Sequence, residues 1–242
     1  MQKVFTGNDS LKELNKELTD LGVSKLLFVH GNSFNKLPIK ESIKLEVPYI
    51  EFTDFTPNPD IADAKKGLEL FTKEGCNAIL AIGGGSAMDV AKCIKYYSEK
   101  DIPIIAVPTT AGSGSEATQF AVIYENKVKQ SIRDSRFIPD IVFLDGNCLK
   151  TLPIYQRKSA LLDALCQAIE SMWSVNSNDE SKKYAIDAIK AIVANYKAYI
   201  FDDDFESYPV IMKASFDAGR AINITQTTAA HAMAYKITTK YG

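Results

Sequence analysis

AILAIGGGSAMDVAKC (78–93) is the stretch on which the fold turns. Its first five residues read as a buried strand, three glycines follow, and from Ser86 to Ser98 the apolar residues recur at helical spacing. Glycines at the carboxyl end of a strand let the backbone approach a bulky anion. A helix start beside them presents unpaired N–H groups and the positive end of a dipole. The alternative is a tight strand–helix turn with an N-cap, for which Ser86 and Asp89 have capping-box spacing. The stretch is not G-x-G-x-x-G, so the common dinucleotide fingerprint is absent.

Outward from this turn, strand-like and helix-like segments alternate. KLLFVH (25–30), PYIEF (48–52), IPIIAV (102–107), 120–124 and IVFL (141–144) read as strands. Leucines at 11, 14, 18 and 21 mark a helix over 9–21, with Ser10 and Glu13 as a capping box and Gly22 as its stop. Ile61, Ala64, Leu68 and Phe71 mark another over 60–75. Buried strands separated by helices imply a parallel sheet with right-handed crossovers. Directly after IPIIAV comes VPTTAGSGSEAT (107–118), rich in hydroxyls and open backbone amides. Alone it could be a flexible loop; beside the glycine turn on a neighbouring strand it forms a nucleotide crevice, at the sheet end where ligands of open α/β sheets sit. After Leu152-Pro153 only helices are predicted, among them 185–200 and 211–235. The expected architecture is an α/β, Rossmann-like nucleotide-binding domain over 1–150 followed by an all-helical domain over 151–242.

Composition narrows the function. The 242 residues carry 28 Lys plus Arg against 30 Asp plus Glu, a formal charge of −2, with no basic cluster suited to nucleic acid. No apolar run approaches the ~20 residues of a membrane span, and the opening MQKVFTGNDSLKEL lacks a signal-peptide core. Cys76, Cys93, Cys148 and Cys166 show neither C-x-x-C pairing nor a disulfide rhythm, as expected of a cytoplasmic protein. With only His30 and His231 in the chain, no Cys–His or Ser–His–Asp constellation assembles. Asp163, Gln167 and Glu170 share one helix face, which can hold a metal or be a solvated polar stripe. His231, among small apolar residues in TTAAHAMAY, reads from its setting as a satisfied core histidine rather than a ligand.

Together these residues resemble the iron-containing (group III) alcohol dehydrogenase family of the dehydroquinate synthase-like superfamily. The resemblance rests on Pro57-Asn58-Pro59, Gly83-Gly84-Gly85-Ser86 with Asp89 and Lys92, the run Pro108 to Glu116, Lys129, Asp145, Leu152-Pro153, Asp163 to Leu165, Ala168 to Glu170, and His231 to Ala234. It implies NAD or NADP gripped at the pyrophosphate by Gly83, Gly84, Gly85 and Ser86. Thr109, Thr110 and Ser113 would reach phosphate, ribose and nicotinamide, and Asp89 and Lys129 complete the cofactor set. It also implies a divalent metal, iron or zinc, at Asp163, Gln167 and His231, polarising the carbonyl that accepts hydride.

Departures from the family pattern shape further expectations. Gln167 stands where a metal-binding histidine is common, and Tyr235 replaces the second histidine of H-x-x-x-H. The family's remaining ligand lies in a Pro-His-Gly segment beyond Gly242, so the chain looks C-terminally truncated relative to the family, with its helical domain incomplete. Metal is accordingly expected to bind weakly or not at all, with the Tyr235 phenol either the substitute proton donor or a core side chain. Where the family often has an aspartate for the adenine ribose, this chain has Gly31, so NADPH should be tolerated. Segments 166–177 and 222–238 look most like members that reduce phosphonoacetaldehyde. The implied activity is hydride transfer between nicotinamide and a small aldehyde or alcohol, in a cytoplasmic homodimer without nucleic-acid or membrane partners. Two rivals remain: a dehydroquinate synthase-like lyase using NAD transiently, and a non-catalytic nucleotide-binding remnant.

Overall fold

Every residue of β2 (Leu26–His30), β4 (Ala78–Gly83), β5 (Ile104–Pro108) and β8 (Ile141–Leu144) is buried, so both faces of the sheet are covered. The structure, a computed structural model, describes residues 2–41, 43–126 and 128–241, without the side chains of Tyr235, Lys236 and 238–241. With β1 (Lys3–Thr6) and β3 (Tyr49–Phe52) at the edges, the strands form a parallel sheet of order β1-β8-β5-β4-β2-β3. The chain runs from β2 out to β3, then crosses back to β4 on the other side of β2. Winding therefore reverses between β2 and β4, and open α/β sheets bind ligands at the carboxyl ends of such a pair. His30 pairs with Ile82 and Gly83 with Pro108, which brings the ends of three adjacent strands level.

Between β3 and β4 lies α2 (Ile61–Lys73), closed by a reciprocal Asp60–Asp63 capping box. α3 (Gly85–Ser98) follows the glycine turn, as expected, but its cap is not Ser86. The N-cap is Gly84, with no side-chain bond. Ser86 Oγ instead donates to the Pro57 carbonyl, and Asp89 accepts from Ser115 Oγ at 3.0 Å. The Ser10–Glu13 box fails too: those residues form a 3₁₀ turn without a side-chain cap bond, and Ser10 is buried, ahead of α1 (Leu14–Asp20). Gly22, at φ +66°, does mark the end of α1, since only glycine enters that region without strain. The sequence reading also missed β1 and the second strand of an antiparallel hairpin, β6 (Phe120–Glu125) with β7 (Val128–Arg133).

From Ile154 onward the described residues are helical: α4 (Ile154–Trp173), α5 (Asp179–Ile200), α6 (Ser207–Thr225) and α7 (Ala229–Tyr241). The single helix predicted over 211–235 is two, because the chain breaks at Gln226, φ +61°. That break turns α7 and carries His231 back toward α4. The apolar cores of the two parts are continuous, with Ile82, Val107, Leu161, Ile192 and Phe216 in one cluster.

Glycine makes the closest approach between the parts. Gly114 sits at φ +60°, and a Cβ there would lie 2.6 Å from the Gly219 Cα on α6. A Cβ on Gly219 would in turn meet the Gly114 carbonyl oxygen at 2.8 Å. The 107–118 loop is thereby pressed backbone to backbone against α6. In Gly219→Val the loop must lift, and overpacking of this kind costs about 1–3 kcal/mol. Thermal unfolding should show Tm falling by roughly 2–4 °C for each kcal/mol lost; an unchanged Tm contradicts the contact.

Candidate active site

Two loops meet over the amino end of α3. The Thr109 amide donates to the Gly83 carbonyl at 2.9 Å. A Cβ on Gly84 would reach Thr110 at 3.3 Å, and one on Gly85 would reach Ser113 Oγ at 3.2 Å. The hydroxyl-rich loop thus lies directly on the glycine turn, where the first amides of a long helix lack intrahelical partners and attract anions.

A lysine fixes the shape of the second loop. Lys92 on α3 is wholly inaccessible to solvent. Its Nζ donates to the carbonyls of Ser115 at 2.5 Å, Phe120 at 2.8 Å and Thr118 at 3.0 Å, and to Ser115 Oγ at 2.9 Å. Burial pulls its pKa down, opposed by the nearby carboxylates of Asp89 and Glu116. Burial likewise raises Asp89, opposed by Lys92 and by hydrogen bonds from Ser115 and Val122.

Beyond the loops opens a cleft of ≈ 430 Å³ between the α/β part and the helices. Asp89 and Ser113 line it, as do Lys129 from β7, Asp163 and Gln167 from α4, and His231 from α7. Lys129 is drawn down to about 8 by burial, opposed by Asp89 and Asp163. His231 stands between two carboxylates, with Nδ1 2.5 Å from Glu170 Oε1 and Nε2 3.1 Å from Asp163 Oδ1. Its pKa is raised chiefly by the Asp163 hydrogen bond, opposed by burial and aided by Glu170. Burial alone would raise Glu170, but bonds from Thr228 and His231 bring it below the usual range.

Of the residues singled out from sequence, the cleft gathers Asp89, Ser113, Lys129, Asp163, Gln167 and His231. Gly83 to Ser86, Thr109 and Thr110 form the adjoining floor rather than its wall. Gly31 follows β2 on the far side of the glycine turn; its backbone is extended, and a Cβ there would meet nothing within 4 Å. The Tyr235 side chain lies outside the described residues. The solvated-stripe reading of α4 is overturned, since Gln167 and Glu170 are 3% and 2% exposed. Sequence reasoning placed Glu170 on this face without linking it to His231, sixty-one residues away, and gave Lys92 no role.

Among the described residues no three His, Cys, Asp or Glu side chains are arranged to hold a metal ion. Gln167 offers a further donor atom beside Asp163 and His231. Its Nε2 reaches the Ser113 carbonyl at 3.4 Å, while its buried Oε1 has no hydrogen-bond partner and lines the same cleft as Asp163 and His231. An orphaned amide oxygen, a carboxylate and an imidazole suit a divalent cation, more weakly than a set with imidazole in place of the amide.

Residues 1–146 match the family model described as iron-containing alcohol dehydrogenase, and 159–242 match that of the Fe-containing alcohol dehydrogenase C-terminal family. The NAD-dependent methanol dehydrogenase of Bacillus methanolicus is 27% identical over 96% of this chain and 67% of its own length. Phosphonoacetaldehyde reductase of Streptomyces viridochromogenes is 32% identical over 67% of this chain and 48% of its own. The solved sulfoacetaldehyde reductase of Bifidobacterium kashiwanohense, in complex with NAD+, superposes with a TM-score of 0.88 at 28% identity, over 98% of this chain and 69% of that one. The chain thus spans about two thirds of the methanol dehydrogenase and sulfoacetaldehyde reductase.

The two-carboxylate clamp makes a pH prediction for the metal-free protein. A histidine raised in the fold adds stability that is full below its unfolded pKa of about 6.5 and is lost as pH rises through the folded value. Asp163→Asn removes the largest raising contribution, so the His231 midpoint followed by NMR should fall toward its ordinary value. A midpoint unmoved by the substitution contradicts the clamp.

Proposed function

We propose that this chain, which belongs to the iron-containing alcohol dehydrogenase family, binds NAD(P)H across the β2, β4 and β5 ends and reduces a small aldehyde in the adjoining cleft, or oxidises the corresponding alcohol. The juxtaposition of the glycine turn with the Asp163–Gln167–His231 donor set carries this reading. In it the pyrophosphate lies over the amides of Gly84 to Ser86, with Thr110 and Ser113 closing over the adjacent groups. Asp163, His231 and Gln167 would hold a divalent cation, which supplies Lewis-acid polarisation of the carbonyl.

The chain's own side chains do the rest. Lys129, with its lowered pKa, and Asp89 face the cleft from its α/β side and can exchange protons near neutrality. The Lys129 ammonium and the hydroxyls of Ser113, Thr118 and Ser131 suit an aldehyde with an anionic head, which makes phosphonoacetaldehyde the first substrate to test. Tyr235, on the turn after His231, is our candidate donor to the forming alkoxide should the cation be lacking. Homodimeric assembly and a cytoplasmic location belong to the same proposal; among the described residues no helix is long and apolar enough to cross a membrane.

Cofactor titration by nicotinamide fluorescence tests the reading. Gly84→Val should weaken NADPH at least tenfold, about 1.4 kcal/mol, because the branched side chain crowds Thr110 and bars the backbone approach; equal affinity sinks the placement. Gly31→Asp meets open space and an extended backbone, so the variant should fold and shift preference from NADPH toward NADH. Unchanged preference would remove Gly31 from the ribose site.

A further inference from the structure

The carboxylate of Glu170 accepts from every hydrogen-bonding neighbour it has among the described contacts. The Thr228 amide donates to Oε2 at 2.5 Å and the Thr228 hydroxyl to the same oxygen at 2.7 Å. The hydroxyl's direction is fixed from outside: Trp173 Nε1, which can only donate, lies 3.2 Å from Thr228 Oγ1, so the hydroxyl hydrogen must turn to Glu170. That leaves Oε1 for His231 Nδ1 at 2.5 Å, in a site where Glu170 is 2% exposed. An ionised carboxylate has no hydrogen to give, so Nδ1 must carry one.

We propose that Glu170 is a positioning residue that sets the tautomer of His231: it holds the hydrogen on Nδ1, so that Nε2, beside Asp163 at the cleft, is the nitrogen that gives up its hydrogen when the ring is neutral. The proposal rests on the metal reading above only for its purpose, since a histidine that ligates through Nε2 needs its other nitrogen oriented in this way. The Glu170 contacts do not depend on a metal; in the metal-free chain Asp163 Oδ1 competes for the ring hydrogen from 3.1 Å, and the buried Glu170 at 2.5 Å prevails over the half-exposed Asp163. Glu170 also anchors the start of α7 through Thr228, so one carboxylate fixes where His231 sits and which nitrogen faces the cleft.

Glu170→Gln separates this role from packing. The amide has nearly the same shape but only one accepting oxygen. With that oxygen kept by the two Thr228 donors, its NH₂ faces Nδ1, which must then accept, and the ring hydrogen moves to Nε2. The test is ¹⁵N-histidine NMR of the chelator-treated chain at a pH where the imidazole is neutral, with His231→Asn identifying its signals by their loss. Nδ1–H in the unmodified chain and Nε2–H in Glu170→Gln, at similar Tm, are expected. Nε2–H in the unmodified chain, or the same tautomer in both, overturns the proposal; if Glu170→Gln does not fold, the unmodified chain alone decides. Zinc titrated by calorimetry should bind the variant about 10–100-fold more weakly, and equal affinity overturns the role toward metal. If neither protein binds zinc while the tautomer still inverts, the metal reading fails and the positioning role of Glu170 stands.

Discussion

A buried ammonium is the constraint on which the site depends. The interior of a protein is a poor place for a charge, and Lys92 is tolerated there because three loop carbonyls and a hydroxyl satisfy it. The dependence is mutual. The carbonyls of Ser115, Thr118 and Phe120 converge on one point, and Lys92 is the donor they share. Remove it and the loop loses the reason for its shape, and with it the placement of Ser113 and Thr118 on the cleft wall.

From that fixed loop the assembly of the cleft follows in steps. Gly114 lets the loop rest on α6 at backbone distance, and Gly112 does the same against Ala160 of α4, where a Cβ would come within 2.8 Å. The helical part is therefore registered against the nucleotide loops by contacts too close for any other residue. Asp163 and Gln167 reach the cleft from α4, and the break at Gln226 returns His231 to them. A floor suited to anions and a wall bearing metal-type donors end up on one opening, which is the requirement for passing hydride from a dinucleotide to a polarised carbonyl.

The sheet was legible because its buried strands are nearly pure runs of Ile, Leu, Val, Ala and Phe, and the glycine turn because no ordinary strand–helix connection needs three glycines. The caps were not. Ser86 has the right spacing to Asp89, but tertiary partners, the Pro57 carbonyl and Ser115, took both side chains. β7 carries polar residues on an exposed hairpin and shows no buried run. The break at Gln226 has neither Gly nor Pro to announce it. The donor set could be named only through resemblance, since Asp163 and His231 are sixty-eight residues apart and meet through tertiary structure alone. The role of Glu170 was hidden for the same reason: a helix-face pattern shows which residues share a side, not what faces them.

The most direct test of the central claim is a crystal structure of this chain with NADPH. Pyrophosphate density over the amides of Gly84 to Ser86, with the nicotinamide ring in the cleft facing Asp163 and His231, is the predicted result. A dinucleotide bound away from the β4 and β5 ends, or one whose nicotinamide points out of the cleft, would contradict the assignment of a single site for cofactor and hydride transfer.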